Sequence, residues 1–180
     1  MSERGLILIN TGDGKGKTTA ALGVALRAVG QNKKVLILQF IKGGQNYGEL
    51  NAIKRLAPQI EIRPMGKGFI FHNKDNVSTA ELNEHKKAAD EAWNMLKNEV
   101  NSDEWDLIIL DEINYAMHYG LVSAESVIHL LKNKPERLDM ILTGRNAPEE
   151  IIALADTVTE MKVVKHAYQK GIKAKRGIEF

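Results

Sequence analysis

Short continuous apolar runs recur along the chain, and each is followed by a stretch of different periodicity. The first run, residues 6–9, precedes a glycine-rich turn and an Ala- and Leu-rich stretch over 18–29 that Gly30 ends. A continuous apolar run is typical of a strand buried on both faces, and apolar residues three and four apart predict an amphipathic helix. The pattern therefore predicts a strand, a turn and a helix in the first thirty residues.

The same alternation continues to the C-terminal region. Further strands are predicted at 35–40, 60–62, 107–110, 140–142 and 157–164. Further helices are predicted at 49–57, at 78–100 behind a capping box of Ser78 and Glu81, from Ser123 to 132, and from Pro148 onward. Alternating helices and apolar strands predict an α/β domain with three layers and a mostly parallel sheet.

Residues 64–77 carry no periodic pattern and are predicted to form a loop. The loop contains Gly66, Gly68 and two aromatic residues, Phe69 and Phe71. Because most connections in compact domains are much shorter, a loop of this length indicates either a functional segment or disorder.

Composition narrows the class of protein. The 180 residues, 43% of them hydrophobic and 27% charged, fit a single globular domain spanning 1–180. The chain has no cysteine, which excludes disulfides, thiolate zinc sites, iron–sulfur clusters and a cysteine nucleophile. No apolar run approaches the roughly 20 residues of a membrane helix, and the first run is too short for a signal peptide. We expect a cytoplasmic protein without a membrane partner.

Charge is uneven along the chain, although the formal net charge is only +2. The last twenty residues hold six cations against one acid: Lys162, Lys165, Lys170, Lys173, Lys175 and Arg176 against Glu179. Nucleic-acid binding would favour aromatic residues interleaved with these cations, and only Tyr168 and Phe180 are nearby. We therefore expect a solvated or anion-facing tail, and no nucleic-acid partner.

Residues 11–18, Thr-Gly-Asp-Gly-Lys-Gly-Lys-Thr, lie between the first strand and the first helix. A phosphate loop has the pattern Gly, four residues, then Gly-Lys-Ser or Gly-Lys-Thr. The end of the pattern matches, whereas Thr11 replaces the first glycine, a departure that Gly12 and Gly14 partly offset. The position between strand and helix favours a phosphate loop over a chance glycine-rich turn.

Such a loop binds anions for physical reasons. Glycines let backbone N–H groups turn inward, and the helix N-terminus adds the positive end of a dipole. Lys17 supplies a positive charge for the terminal phosphates of a bound nucleotide, and Thr18 offers a hydroxyl to Mg²⁺. Lys15 is equally compatible with a phosphate contact and with a solvated surface position.

Two carboxylates, Asp111 and Glu112, follow the apolar run 107–110 directly. In a parallel sheet they lie at the C-terminal edge, next to the phosphate loop if the strands are neighbours. One of them can hold Mg²⁺ directly or through water, and the spacing does not decide which. The five histidines have no metal-ligand spacing, so no zinc site is predicted.

With these motifs, the chain resembles the corrinoid adenosyltransferases of the branch with a RecA-like phosphate-loop fold. The resemblance runs from about residue 5 to the end and is carried by residues 11–19, 39–43, 65–71, 110–112, 143–145, 154–158, 164–167, 171–174 and 177–179. It implies transfer of the adenosyl group of ATP to a cob(I)alamin-type corrinoid, with attack of Co(I) on C5′ and departure of triphosphate.

The resemblance also implies residue roles. Lys17 would stabilise the leaving triphosphate, Thr18 and Glu112 would bind Mg²⁺, and Phe69 and Phe71 would form an apolar wall that removes the axial ligand of Co(II). ATP-binding residues on this basis are Gly12, Asp13, Gly14, Lys15, Gly16, Lys17, Thr18, Thr19, Arg27 and Arg145. The corrinoid would be cobalamin, cobinamide or cobyrinic acid diamide, the reductant an external flavoprotein, and the assembly a homodimer.

This sequence departs from the family pattern at two residues. Family members often have Asn where this chain has Asp13, and Trp where it has Phe71. Some members also have an N-terminal extension over the active site. Because this sequence starts almost at its first strand, we expect that cover to be absent or to come from elsewhere.

Two other functions remain open at the level of sequence. A phosphoryl-transfer enzyme, either a small kinase or an ATPase, would use Glu112 to position water or a hydroxyl nucleophile. A non-catalytic ATP-dependent switch would use its basic tail to dock a partner. Release of triphosphate without ADP separates adenosyl transfer from phosphoryl transfer.

Overall fold

The structure is a computed structural model that describes residues 4–43, 47–68 and 79–179. Six parallel strands form one sheet in the order β3-β2-β4-β5-β1-β6. Their bounds are β1 Ile7–Thr11, β2 Val35–Gln39, β3 Ile60–Pro64, β4 Leu107–Asp111, β5 Asp139–Thr143 and β6 Thr157–Glu160. The prediction of a parallel α/β sheet is confirmed.

Helices connect the strands and cover both faces of the sheet. Their bounds are α1 Lys17–Val29, α2 Gly48–Ile53, α3 Thr79–Val100, α4 Ile113–His118, α5 Ala124–Asn133 and α6 Glu149–Ile152, with 3-10 turns at Lys54–Leu56 and Ala167–Lys170. The predicted cap of α5 is confirmed, since the Ser123 hydroxyl accepts a hydrogen bond from the Ser126 amide at 3.0 Å. The predicted cap Ser78 lies outside the described residues.

Alternate strand residues build two cores, one on each face of the sheet. In β2, Leu36 and Leu38 pack toward α3, α4, α5 and α6, while Val35 and Ile37 pack toward α1 and α2. Each fully buried side chain of this kind contributes about 1.5–3 kcal/mol relative to exposure. Burial on both faces explains why the central strands are apolar throughout, and it gives the three layers that the sequence predicted.

Two elements differ from the sequence prediction. Helix α4 was not predicted, because it has only six residues and directly follows a strand, so no periodicity could develop. The last strand was predicted over 157–164, but β6 ends at Glu160. Its neighbour in the described sheet, β1, ends at Thr11, so beyond Met161 the described part of the chain offers no strand to pair with.

The described parts of the chain contain no helix long and apolar enough to cross a membrane.

Candidate nucleotide-binding site

The phosphate loop turns from the end of β1 into α1, and its backbone geometry explains the unusual first residue. Thr11 is the last residue of β1, an extended position that needs no glycine. Its hydroxyl accepts a hydrogen bond from the Ala147 amide at 3.3 Å. The positive φ angles fall on Gly12 and Gly16, at 89° and 108°, where side chains are disfavoured. Gly12, with its positive φ angle, therefore takes the place of the first glycine of the phosphate-loop pattern, where this chain has Thr11.

The residue after β6 packs against the loop from one side. The Gly14 amide donates a hydrogen bond to the Met161 carbonyl at 2.6 Å. A Cβ atom would lie 2.5 Å from the Met161 carbonyl oxygen at Gly12, and 2.7 Å from the same atom at Gly14. These separations are below any ordinary contact distance, so both positions require glycine whether or not phosphate is bound.

Lys17 closes the loop on itself. Its side chain is buried, and the ammonium group donates hydrogen bonds to the carbonyl oxygens of Gly12 and Gly14, both at 2.7 Å. Burial lowers the pKa of Lys17, and the negative charge of Glu112 partly opposes that effect. The ammonium group is thus held in the concave side of the loop, where an anion can exchange for the carbonyl oxygens.

Asp111, at the end of β4, is completely buried and organises the floor of the site. Its Oδ1 accepts hydrogen bonds from the hydroxyl groups of Thr18 and Thr143, each at 2.7 Å, and its Oδ2 accepts one from the Gln39 amide at 3.0 Å. Strand β5 lies between β1 and β4, so the acidic strand end and the phosphate loop are not on neighbouring strands. Thr143, at the end of β5, bridges that gap.

The direction of these hydrogen bonds matters for chemistry. The Thr18 hydroxyl donates its hydrogen to Asp111, so the lone pairs of the Thr18 oxygen are free for a cation. Asp111 accepts three hydrogen bonds and so orients Thr18 rather than acting as a base.

Glu112 is held differently from its neighbour. Its φ of 62° is left-handed, and its amide donates a hydrogen bond to the Thr143 hydroxyl at 2.9 Å. Burial, followed by the charge of Asp111, raises the pKa of Glu112 to about 7, while Lys17 acts in the opposite direction. No hydrogen-bond donor within the described ranges reaches its carboxylate. Glu112 is therefore a partly buried acid that a cation would stabilise in its ionised form.

The donor set fits Mg²⁺. The Thr18 hydroxyl and the Glu112 carboxylate supply hard oxygen ligands, and Mg²⁺ typically takes only one or two protein ligands besides water and phosphate. The buried Oε1 of Gln39 has no partner in the part of the chain that the structure describes, so an acceptor for a bound water stands beside Asp111. No cluster of three His, Cys, Asp or Glu residues occurs among the same residues.

Two ion pairs flank the loop at the surface. Arg145 Nε lies 3.6 Å from Asp13 Oδ1, and both side chains are exposed. Arg145 thus compensates the negative charge that distinguishes this loop from the Asn-containing pattern. On the other side, Lys15 pairs with Glu179, close to the C-terminus.

Two other predicted site residues, Thr19 and Arg27, lie on α1. Thr19 is in the first turn of α1 with an exposed side chain. Arg27 is exposed in the last turn of α1, ten residues beyond Lys17 and hence about 15 Å along the helix axis. The structure does not bring Arg27 to the loop, and its contact with ATP stays a prediction. Phe69 and Phe71 lie outside the described residues.

Four residues of the site received no role from the sequence. Gln39 and Thr143 end β2 and β5, Lys42 follows β2, and Asn114 lies in α4. Lys42 Nζ is 3.2 Å from Glu49 and 3.7 Å from Asp111; burial acts to lower its pKa, but these two carboxylates outweigh burial and raise it. The sequence signal that could have identified Gln39 and Thr143 is their position at the ends of predicted strands, because the carboxyl ends of parallel strands meet at one edge of the sheet.

Comparisons with known proteins agree with this geometry. Residues 3–180 match the family model described as ATP:corrinoid adenosyltransferase BtuR/CobO/CobP. Proteins named corrinoid adenosyltransferase from Escherichia coli strain K12 and from a Sinorhizobium species are 39% and 37% identical over 99% of this chain, which covers 87% and 81% of their lengths. The Salmonella typhimurium protein is 38% identical, again over 99% of this chain and 87% of its own length.

Among solved structures, the RadB recombinase has a similar fold. Its TM-score is 0.54 and its sequence identity 14%, over 91% of this chain and 77% of that chain. At this identity the likeness concerns the fold alone, and it confirms the RecA-like architecture that the family resemblance implied.

Proposed function

The chain belongs to the ATP:corrinoid adenosyltransferase family, and we propose that it transfers the 5′-deoxyadenosyl group of ATP to the cobalt of a Co(I) corrinoid. The observation that carries the proposal is the extent of the family match. It spans residues 3–180 and so includes the phosphate loop, the Asp111–Glu112 strand end and Arg145. Cobalamin, cobinamide and cobyrinic acid diamide are the candidate acceptors.

The reaction is a displacement at carbon. The electron pair of Co(I) forms the cobalt–carbon bond to C5′. The bond from C5′ to the ester oxygen breaks, and triphosphate leaves with the two electrons of that broken bond. No proton has to be removed from the nucleophile, so the site needs no general base. Asp111, whose carboxylate already accepts three hydrogen bonds, is consistent with that requirement.

What this chain supplies is stabilisation of the leaving group. Lys17 lies in the concave side of the loop, where its ammonium group is bonded to the carbonyl oxygens of Gly12 and Gly14. Exchange of those carbonyl oxygens for phosphate oxygens places the ammonium charge on the group that becomes more negative in the transition state. The positive end of α1 acts in the same direction, as do the loop amides other than that of Gly14, which is bonded to the Met161 carbonyl.

Thr18 and Glu112 would hold Mg²⁺, which supplies further neutralisation of charge on the triphosphate when bound. Asp111 keeps the Thr18 hydroxyl turned so that its lone pairs face outward. Gly144 leaves room for the carboxylate, because a Cβ there would lie 3.2 Å from Glu112 Oε2.

We also propose that Phe69 and Phe71, which are outside the described residues, form the apolar wall on the corrinoid side. An external flavoprotein reductant, a homodimer and a cytoplasmic location likewise stay predictions.

The test is anaerobic incubation of the protein with ATP, Mg²⁺ and chemically reduced cob(I)alamin. We expect the spectrum of a cobalt–carbon product and one triphosphate per adenosyl group. Release of ADP instead would indicate phosphoryl transfer, and nucleotide binding without turnover would indicate a switch; either result contradicts the proposal.

A further inference from the structure

Residues 161–179, which we name the strap, follow β6 and run back to the phosphate loop. The strap carries all six cations of the C-terminal region and a single acid, Glu179. That acid is the residue that pairs with Lys15 of the loop. The far end of the most basic segment of the chain is therefore attached to the loop through the segment's only negative side chain.

The strap is fixed to the rest of the protein at its two ends and makes few contacts with it between them. At one end, the Met161 amide donates to the Thr11 carbonyl at 2.8 Å, and its own carbonyl accepts from Gly14 at 2.6 Å. At the other end is the Lys15–Glu179 pair. Between them, every backbone hydrogen bond that the described residues make joins two residues of the strap itself.

Exposure agrees with this pattern of contacts. Only Met161, His166 and Glu179 of the strap are partly buried, whereas Val164 and Tyr168 are 96% and 78% exposed. A segment with few buried apolar contacts opens at low cost, so the attachment of its far end depends on the ion pair. Lys15 is 47% exposed in that pair and Glu179 22%, and exposed ion pairs are weak.

We propose that the Glu179 end of the strap is released when triphosphate, either as part of ATP or as the product, occupies the phosphate loop. This inference rests on the proposed function only in requiring that the loop binds triphosphate. Glu179 holds Lys15 in the nucleotide-free protein, and a phosphate oxygen takes its place.

The charges make the exchange favourable. Triphosphate carries several negative charges and Glu179 carries one, so Lys15 gains attraction when the partner changes. Glu179 thus competes with triphosphate for one residue, Lys15, and weakens its binding.

Calorimetric titration of the full chain with inorganic tripolyphosphate tests the competition. Glu179→Gln should bind about two- to fivefold more tightly than the unaltered chain, the range expected for loss of one exposed ion pair. Glu104→Gln, which removes a carboxylate paired with Lys34 at 3.5 Å, is the matched control and should leave affinity unchanged. Unchanged or weaker binding by Glu179→Gln overturns the proposal.

A double-mutant cycle separates the ion pair from a general charge effect. Lys15→Gln removes the partner, so adding Glu179→Gln to it should give no further gain in affinity. An equal gain in both backgrounds would mean that Glu179 acts through its field and not through Lys15, and would also overturn the proposal.

Release itself can be measured because the chain has no cysteine. Spin labels at Ile178→Cys and Leu26→Cys, both exposed positions, report the distance between the strap and α1 in protein diluted with unlabelled chain. Tripolyphosphate should shift the distance distribution, and Glu179→Gln should show the shifted distribution without ligand. No shift with saturating tripolyphosphate contradicts release. These readouts need no corrinoid, so they stand apart from failure of the adenosyl-transfer assay.

Discussion

Lys17 is the residue whose charge the proposed reaction uses most directly. We expect Lys17→Ala to lower kcat about 100-fold at saturating ATP, because a missing charge on the leaving group costs on the order of 3 kcal/mol. Lys33→Ala, which removes an exposed lysine paired with Asp139, is the control and should keep the normal rate. Near-normal turnover by Lys17→Ala would rule out its role.

Glu112 gives a second test at the residue scale through pH. Its pKa is raised to about 7 from the ordinary 4.5, so the folded chain binds a proton more tightly than the unfolded chain. Stability from this group is therefore full below about pH 4.5, falls as pH rises and levels off above about pH 7.

Glu112→Gln should remove that loss. The measured quantity is the free energy of unfolding of Glu112→Gln minus that of the unaltered chain, without nucleotide and Mg²⁺. We expect this difference to be larger at pH 8 than at pH 4 by up to about 3 kcal/mol. Urea unfolding at both pH values measures it, with Glu104→Gln as the control. A stability difference that does not vary with pH would mean that Glu112 is not strained by burial.

The same substitution tests the metal assignment. An amide oxygen is a weaker ligand for a hard cation, so Glu112→Gln should raise the Mg²⁺ concentration needed for half-maximal adenosyl transfer, by about tenfold. Asp111→Asn should instead disturb Thr18 and lower kcat at saturating Mg²⁺. If only Asp111→Asn changes the Mg²⁺ requirement, the two roles are reversed.

At the scale of single residues, the sequence predicted what a local motif fixes and missed what the fold brings together. Gly12 to Thr18 are consecutive, so their shared site could be read directly. Gln39 and Thr143 meet at Asp111 only because their strands end at one edge of the sheet, a contact across 72 and 32 positions of sequence. No periodicity or spacing encodes such a meeting.

At the scale of elements, the turn after β5 sets the position of Glu112. Gly144 has φ of 126°, and a Cβ there would lie 3.0 Å from both the Asn114 Cβ and the Tyr115 amide nitrogen. Gly144→Ala should therefore destabilise the fold by about 1–3 kcal/mol and slow adenosyl transfer, because Glu112 must shift.

Gly23 provides the matched control for Gly144. It lies inside α1, where an added Cβ would have no described atom within 4 Å beyond its chain neighbours and the backbone of the helix itself. Gly23→Ala should stabilise the chain by up to about 1 kcal/mol, since alanine has the higher helix propensity. Denaturant midpoints measure both variants, and equal midpoints would show that the turn after β5 tolerates a side chain facing α4.

Elements were predictable where burial imposes a long, uniform pattern. Strands β2 and β4 are buried at every residue, and both were predicted within one residue of their bounds. The error in β6 has the opposite cause. All four of its side chains are exposed, so nothing in its own sequence marks the end, which is set by the length of β1.

At the scale of the whole molecule, fold and chemistry have to be argued separately. The RadB recombinase shares the architecture at 14% identity, and phosphate loops on this fold serve different reactions. In a site that binds the triphosphate of ATP, a nucleophile can attack the γ-phosphorus, or it can attack C5′ and displace the whole triphosphate. The difference lies in where the second substrate approaches, which strand order does not encode.

Phe69 and Phe71 are the residues expected to prepare the second substrate, the corrinoid, for attack. If their rings exclude the axial ligand of Co(II), replacing both with Ala should slow the reaction from Co(II) plus reductant. The reaction from pre-reduced Co(I), which needs no ligand removal, should change much less. Phe71→Trp should be tolerated and Phe71→Asp should not, because exclusion depends on an apolar surface. The two rates are measured on one preparation, so any loss of folded protein cancels in their ratio. Equal losses from Co(II) and Co(I) would mean that these residues only hold the loop or the corrin in place, and that another part of the molecule prepares the cobalt for attack.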